Sequence, residues 1–166
     1  MSILLRNATI TDCNRALEGD LLIENGRIAA VGACPGSAER VIDARGLHIL
    51  PSFVDLHAHF RDPGLTHKED ITSGCRAAVH GGYTYVNLMP NTKPVCSSAE
   101  VVDYVLGKAG EANLCGVHQT MSITRAFDGT TLSHWDQPHG SVRWLTDDGY
   151  GVEGTAIMLA AMRKAK

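Results

Sequence analysis

The hydrophobic rhythm of the chain changes near residue 52. Before that point, apolar and polar residues alternate in short runs, "ILLRNATI", "DLLIENGRIAAVG" and "RVIDARGLHIL", the period-two signature of strands. Asn25-Gly26 sits inside the second run and readily adopts the paired positive φ values of a type I′ hairpin. Residues 1–51 are predicted to form a small antiparallel, β-sandwich-like unit. From residue 53 onward, β-rich segments recur at 53–60, 83–89, 114–121 and 141–145, at intervals of roughly 30 residues, the size of a βα unit. Helical patterns fill the gaps. Ile71, Cys75, Ala78 and Val79 share one helical face ahead of the stop Gly81-Gly82, and Ser97 with Glu100 spells a capping box before the stripe Val101, Val102, Val105, Leu106. "EGTAIMLAAMRKAK" is helical by composition. This alternation predicts an α/β fold with a parallel sheet flanked by helices, either doubly wound or closed as a (β/α)8 barrel. About four units are present where a barrel needs eight. No Gly-x-Gly-x-x-Gly or P-loop follows a strand, which argues against a nucleotide-binding unit.

Composition narrows the partners. With 166 residues, 44% of them hydrophobic, the chain can bury a core, and a net charge of -3 leaves no basic surplus for nucleic acid. No stretch is long enough to cross a bilayer, and Arg6 and Asn7 arrive too early for a signal peptide, so a cytoplasmic protein with a small-molecule partner is expected. Cys13, Cys34, Cys75, Cys96 and Cys115 are odd in number and lack C-x-x-C spacing, and they read as small hydrophobes in a reducing compartment.

One segment departs from a plain core pattern. In "SFVDLHAHFRDPG", strict alternation puts Asp55, His57, His59 and Arg61 on one face of a strand and Leu56, Ala58 and Phe60 on the other. Four ionisable groups on one face are costly to bury unless paired, hydrogen-bonded or bound to metal. Two imidazoles at i and i+2 can converge on one ion, and imidazole suits zinc. An isolated H-x-H is also common without any ion, so the flanking Asp55 and Arg61 carry weight here. Two further polar clusters follow β segments: Asn91 in "YVNLMPNTKP", and Asp147-Asp148-Gly149 in "WLTDDG". Either is ordinary turn chemistry taken alone. Their shared position, after strands, is where α/β enzymes build sites.

The strings "DLHAHFRDPG" and "GGYTYVNLMPNTKP", with "LPSFVDLH" and "TDDG", resemble the signatures of dihydroorotases of the bacterial single-function type, cyclic amidohydrolases of pyrimidine biosynthesis. The resemblance covers nearly the whole chain. It implies a metal-dependent (β/α)8 barrel preceded by a β unit, with residues 52–166 as the barrel's first half, truncated. It implies two zinc ions per complete site, held here by His57, His59 and Asp148, and a substrate carboxylate bound by His59, Arg61 and Asn91. The reaction implied is the reversible closure of N-carbamoyl-L-aspartate to L-dihydroorotate with loss of water. In the family, further histidine ligands and the proton-carrying aspartate lie on later strands, beyond Lys166, which puts the activity of this chain by itself in question. His48, His67, His80, His118, His134 and His139 read as structural or exposed. Related ring-opening enzymes acting on hydantoins, dihydropyrimidines or allantoin form an alternative, although those relatives bridge their metals with a carboxylated lysine. A non-catalytic partner of aspartate transcarbamoylase is another. A homodimer or association with that enzyme is the assembly the resemblance allows.

Overall fold

The computed structural model describes residues 1–134 and 140–166, so the expectation for His139 lies outside the described residues. The chain divides into two compact units, Met1–Pro51 and Ser52–Lys166.

In the first unit, β1 (Ser2–Thr11), β2 (Ala16–Glu24), β3 (Arg27–Gly32), β4 (Arg40–Asp43) and β5 (His48–Ile49) form one sheet in the order β3-β2-β1-β4, with β5 also beside β1. The β2–β3 hairpin turns through Asn25 at φ 50° and Gly26 at φ 74°, the left-handed pair the sequence calls for. The antiparallel expectation needs correction, because β1 pairs in parallel with both β4 and β5. Residues 33–39 carry the chain across so that β4 returns along the free side of β1 in the same direction, as a parallel pairing requires. All five strands therefore belong to a single mixed sheet rather than a sandwich. Its core is Ala8, Ile10, Leu21 and Ala44.

The second unit is α/β. Strands β6 (Phe53–Ala58), β7 (Tyr83–Leu88) and β8 (Gly116–Gln119) form a parallel sheet in that order, with α1 (Ile71–His80) and α2 (Ala99–Ala112) as crossovers and α3 (Thr155–Ala165) after the last described loop. Val86 and Leu88 of β7 meet Phe60, Ile71, Cys75, Val105 and Ala109 in a core between sheet and helices, each large apolar side chain contributing about 1.5–3 kcal/mol. A second core joins Cys96, Val101, Val102, Met121 and Ala161. Helix α1 starts at a capping box in which Asp70 accepts from the Ser73 backbone N–H. Helix α2 differs from expectation at its start. Its N-cap is Ser98 without a side-chain bond, because the Ser97 hydroxyl instead pairs with that of Ser122 at 2.8 Å. Asn113 ends it in the left-handed conformation at φ 47°.

The strand expected over 141–145 reduces to an isolated parallel bridge between Met121 and Leu145. Pairing there is confined to the Met121 N–H on the Trp144 carbonyl at 3.4 Å and the Thr146 N–H on the Met121 carbonyl at 3.0 Å. Trp144 stands edge-on to His118 with ring centroids 4.6 Å apart, and Val142 packs on the second core. Among the described residues, no helix is long and apolar enough to cross a membrane. Phe53, Val54 and Leu56 of the outer strand β6 are 50%, 53% and 63% exposed.

A polar network laces the face of the sheet opposite the helices. Asn87 donates to the Leu56 carbonyl at 3.0 Å, and its Oδ1 accepts from the Thr120 hydroxyl at 3.0 Å and contacts His118 Nδ1. His118 Nε2 accepts from the Arg143 backbone N–H at 3.0 Å. An accepting Nε2 leaves the proton on Nδ1, so His118 is neutral and donates to Asn87. Burial, joined by the Arg143 charge, lowers its pKa below the ordinary imidazole value, against the opposing influence of a bond to the Ser141 backbone. The unfolded chain therefore takes up this proton first as pH falls. Stabilisation from a neutral His118 is complete above about pH 6.5 and is lost as pH falls through the lower folded value. In urea unfolding, the stability advantage of the wild-type chain over His118→Asn is expected to shrink between about pH 7.5 and pH 5. A constant difference across that range would contradict the neutral, buried assignment.

Candidate metal centre

The site begins with an irregularity in β6. Asp55 pairs with Val86 and Ala58 with Leu88, so three steps on β6 face two on β7. The extra residue makes a bulge, and strict alternation fails across it. His57 and His59 flank the core-facing Ala58 and share the opposite face. Asp55 is not among the donor atoms that gather with His57 and His59. With His59 it lines a cleft of about 260 Å3 against Ala77 and Ala78 of α1 and the C-cap Gly81. From there its carboxylate accepts the His57 backbone N–H at 2.9 Å, inside the bulge. Leu56 is 63% exposed, unlike Ala58 and Phe60, with which alternation groups it.

The two imidazoles, with ring centroids 5.0 Å apart, meet the Asp148 carboxylate. His57 Nε2 lies 3.1 Å from Asp148 Oδ1, and His59 Nδ1 lies 4.0 Å from Oδ2. One donor atom from each of the three residues falls within 4.8 Å of the others, the one such group among the described residues. Donors of a tetrahedral zinc, bound at about 2.0–2.2 Å, are separated by roughly 3.4 Å, and the set contains the nitrogen and oxygen donors zinc takes. Spacing and chemistry both fit a divalent ion held by His57, His59 and Asp148. Asn91 lies among them, its Oδ1 3.0 Å from His59 Nδ1 and its Nδ2 donating to Asp148 Oδ2 at 2.6 Å.

Asp148 reaches the site by a short, well-anchored path. Thr146 N–H bonds the Met121 carbonyl at 3.0 Å, continuing the parallel bridge, and the Asp148 N–H bonds Thr146 Oγ1 at 2.9 Å. Asp148 itself is left-handed at φ 52°. Its neighbour Asp147 is 3% exposed and turns the other way, accepting from Ile123 N, Thr124 N and Thr124 Oγ1 at 2.7, 3.0 and 2.6 Å. The two acids of "TDDG" thus divide an anchoring role from a site role. Nothing in the string itself tells which is which.

Arg61 opens the next loop at φ 62°, and among the described residues its guanidinium makes no hydrogen bond or ion pair. Asp62, 1% exposed, ties this loop to α2 through Tyr104 Oη at 2.9 Å and Lys108 Nζ at 3.5 Å. Sequence reasoning named Asp147 only as part of the Asp147-Asp148-Gly149 cluster and did not single out Asp62, since an acid's burial depends on donors supplied by distant segments. Lys93 N–H bonds the Pro63 carbonyl at 2.9 Å, docking the loop carrying Arg61 onto the loop carrying Asn91. His48, His67, His80 and His134 are exposed and His118 is buried in the network above.

A family model described as "Dihydro-orotase-like" matches residues 46–166. The chain is 46% identical to the dihydroorotase of Clostridium botulinum (strain Eklund 17B / Type B), over 100% of this chain and 42% of that protein. It is 39% identical to the dihydroorotase of Aquifex aeolicus (strain VF5), over 99% of this chain and 40% of that one. The chain therefore spans about two-fifths of the length of these curated relatives. Among solved structures, an L-hydantoinase (dihydropyrimidinase) from Arthrobacter aurescens superposes with TM-score 0.78 at 18% identity, over 98% of this chain and 38% of that one, a likeness of fold alone. A D-hydantoinase reaches TM-score 0.57 at 26% identity, over 75% and 28%.

The docked loops give a direct expectation. A Cβ on Gly64, at φ +85°, would lie 1.9 Å from the Lys93 carbonyl oxygen, so Gly64→Ala must strain its own backbone and push the loops apart. Urea unfolding is expected to show a loss of about 1–3 kcal/mol. A variant within about 0.5 kcal/mol of wild type would contradict the close docking.

Proposed function

The chain belongs to the dihydro-orotase-like family, and from that membership we propose that Ser52–Lys166 supplies the first units of a (β/α)8 amidohydrolase barrel bearing part of a dihydroorotase site. The reaction proposed is the reversible cyclisation of N-carbamoyl-L-aspartate to L-dihydroorotate and water, a step of pyrimidine biosynthesis. The observation that carries this reading is the meeting of His57, His59 and Asp148 at one point after a strand.

In this reading the metal is zinc, held by His57 and His59 through imidazole nitrogens and by Asp148 through its carboxylate. When bound, zinc supplies Lewis acidity, which polarises a carbonyl and raises the acidity of water. The residues of the chain do the binding and orienting. Arg61, with no partner of its own among the described residues, presents a planar fork suited to the substrate's carboxylate, placed two residues beyond His59. Asp55 fixes the backbone of His57, and Asp147, next to Asp148, is anchored on the backbone of Ile123 and Thr124, so the ligands are held before any ion arrives. An aspartate in the cluster favours this reaction over hydantoin opening, where the resemblance implies a carboxylated lysine. Five free cysteines suit a reducing, cytoplasmic setting.

Equilibrium binding tests the assignment of roles. The zinc-loaded chain is expected to bind L-dihydroorotate in preference to hydantoin. Arg61→Met should weaken dihydroorotate roughly 10- to 100-fold, the loss of a charged hydrogen-bond partner, while zinc content stays unchanged. Undiminished binding by Arg61→Met would remove Arg61 from the site, and a preference for hydantoin would overturn the proposed reaction.

A further inference from the structure

Arg61 sits on a fixed stretch of backbone, and we propose that Asp62 is the positioning residue that fixes it, clamped by Tyr104 and Lys108 of α2; this rests on the reading of Arg61 as the fork for the substrate's carboxylate. The backbone at Arg61 is left-handed at φ 62°, a conformation that a residue with a side chain holds only when its surroundings enforce it. Hydrogen bonds enforce it on both sides. The Arg61 carbonyl accepts the Leu65 N–H at 3.0 Å, and the Pro63 carbonyl accepts the Lys93 N–H at 2.9 Å. Between them, Asp62 is 1% exposed, and a carboxylate so far from water is costly unless its oxygens are paired. Both are. Oδ1 accepts from Tyr104 Oη at 2.9 Å, and Oδ2 faces Lys108 Nζ and the Ile71 N–H, each at 3.5 Å.

The other half of the clamp is itself anchored. Tyr104 and Lys108 stand one turn apart on α2, with Lys108 Nζ 5.2 Å from the Tyr104 ring centroid, so each keeps the other within reach of Asp62. The same helix buries Val105 and Ala109 in one core and Val101 and Val102 in the other, while Ile71 heads α1. Asp62 therefore ties the residue after Arg61 to two packed helices. A guanidinium carried on a fixed backbone loses less freedom when it grips a ligand, so the clamp acts on affinity for a carboxylate and leaves metal binding alone. A staple that served stability alone would make the same contacts, and the two roles differ in whether their effect passes through Arg61.

Two readouts on the full chain separate them, using Tyr104→Phe/Lys108→Met, which alters two partly exposed side chains and leaves both cores intact. In the metal-free chain, nitrogen-15 relaxation is expected to give a backbone order parameter at Arg61 of about 0.85 in the wild type and below about 0.6 in the variant. In the zinc-loaded chain, the variant should bind L-dihydroorotate about 3- to 10-fold more weakly, with Zn2+ affinity by chelator competition unchanged. Added to Arg61→Met, the same two changes should cost nothing further. An order parameter at Arg61 below about 0.6 in the wild type overturns the proposal even if the variant does not fold. An Arg61 equally rigid in wild type and variant overturns it too, as does an equal loss of dihydroorotate affinity with and without Arg61. If the order of Arg61 depends on the clamp but the wild type has no affinity for dihydroorotate, the clamp stands and the carboxylate reading of Arg61 falls.

Discussion

One carboxylate meeting two imidazoles is the contact that the candidate centre of the Ser52–Lys166 unit depends on. Asp148 and His57 are separated by about ninety residues, and closing so long a loop has an entropic cost that the contact itself cannot offset. The parallel ladder divides that closure into short steps. Strands β6, β7 and β8 each lie beside the next, and the Met121–Leu145 bridge adds one more neighbour. Each step is sealed by apolar burial on the helix side, and the polar groups gather on the other side.

Polar groups on that opposite face are connected rather than isolated. Asn87, Thr120 and His118 link β7, β8 and the segment at Arg143, and a buried network of this kind is stable only when its members find partners. The aspartates divide their work on the same principle. Asp55 satisfies a backbone N–H stranded by the bulge, Asp62 joins a loop to α2, and Asp147 gathers two backbone N–H groups and a hydroxyl. Asp148 alone is turned toward the histidines and the Asn91 amide, where its charge can serve an ion.

Much of this was legible in the sequence. The period change near residue 52, the apolar stripes of α1 and α2, and the left-handed Asn25-Gly26 turn correspond to elements of the fold, because each rests on local periodicity. The candidate ligands His57, His59 and Asp148, which residue type, resemblance and placement after strands single out, have ligand-type atoms within 4.8 Å of one another. What local pattern could not reveal was decided by distant partners. The bulge between Asp55 and Ala58 leaves the H-x-H spacing intact, so nothing in the string marks it. Ser97 has the spacing of a cap, but Ser122 takes its hydroxyl. The segment at Trp144 has the composition of a strand but pairs only through Met121, too short a ladder to count as one. The parallel return of β4 depends on a crossover, which alternation alone does not distinguish from a hairpin.

The central claim is that these three side chains form one metal-binding point. Zinc-edge X-ray absorption on the chain loaded with one equivalent of Zn2+ tests it most directly, compared between wild type and His59→Ala. The account predicts a first shell containing two imidazole nitrogens and carboxylate oxygen in the wild type, with one imidazole lost in the variant. A shell containing sulfur, or one unchanged by removal of His59, would contradict it.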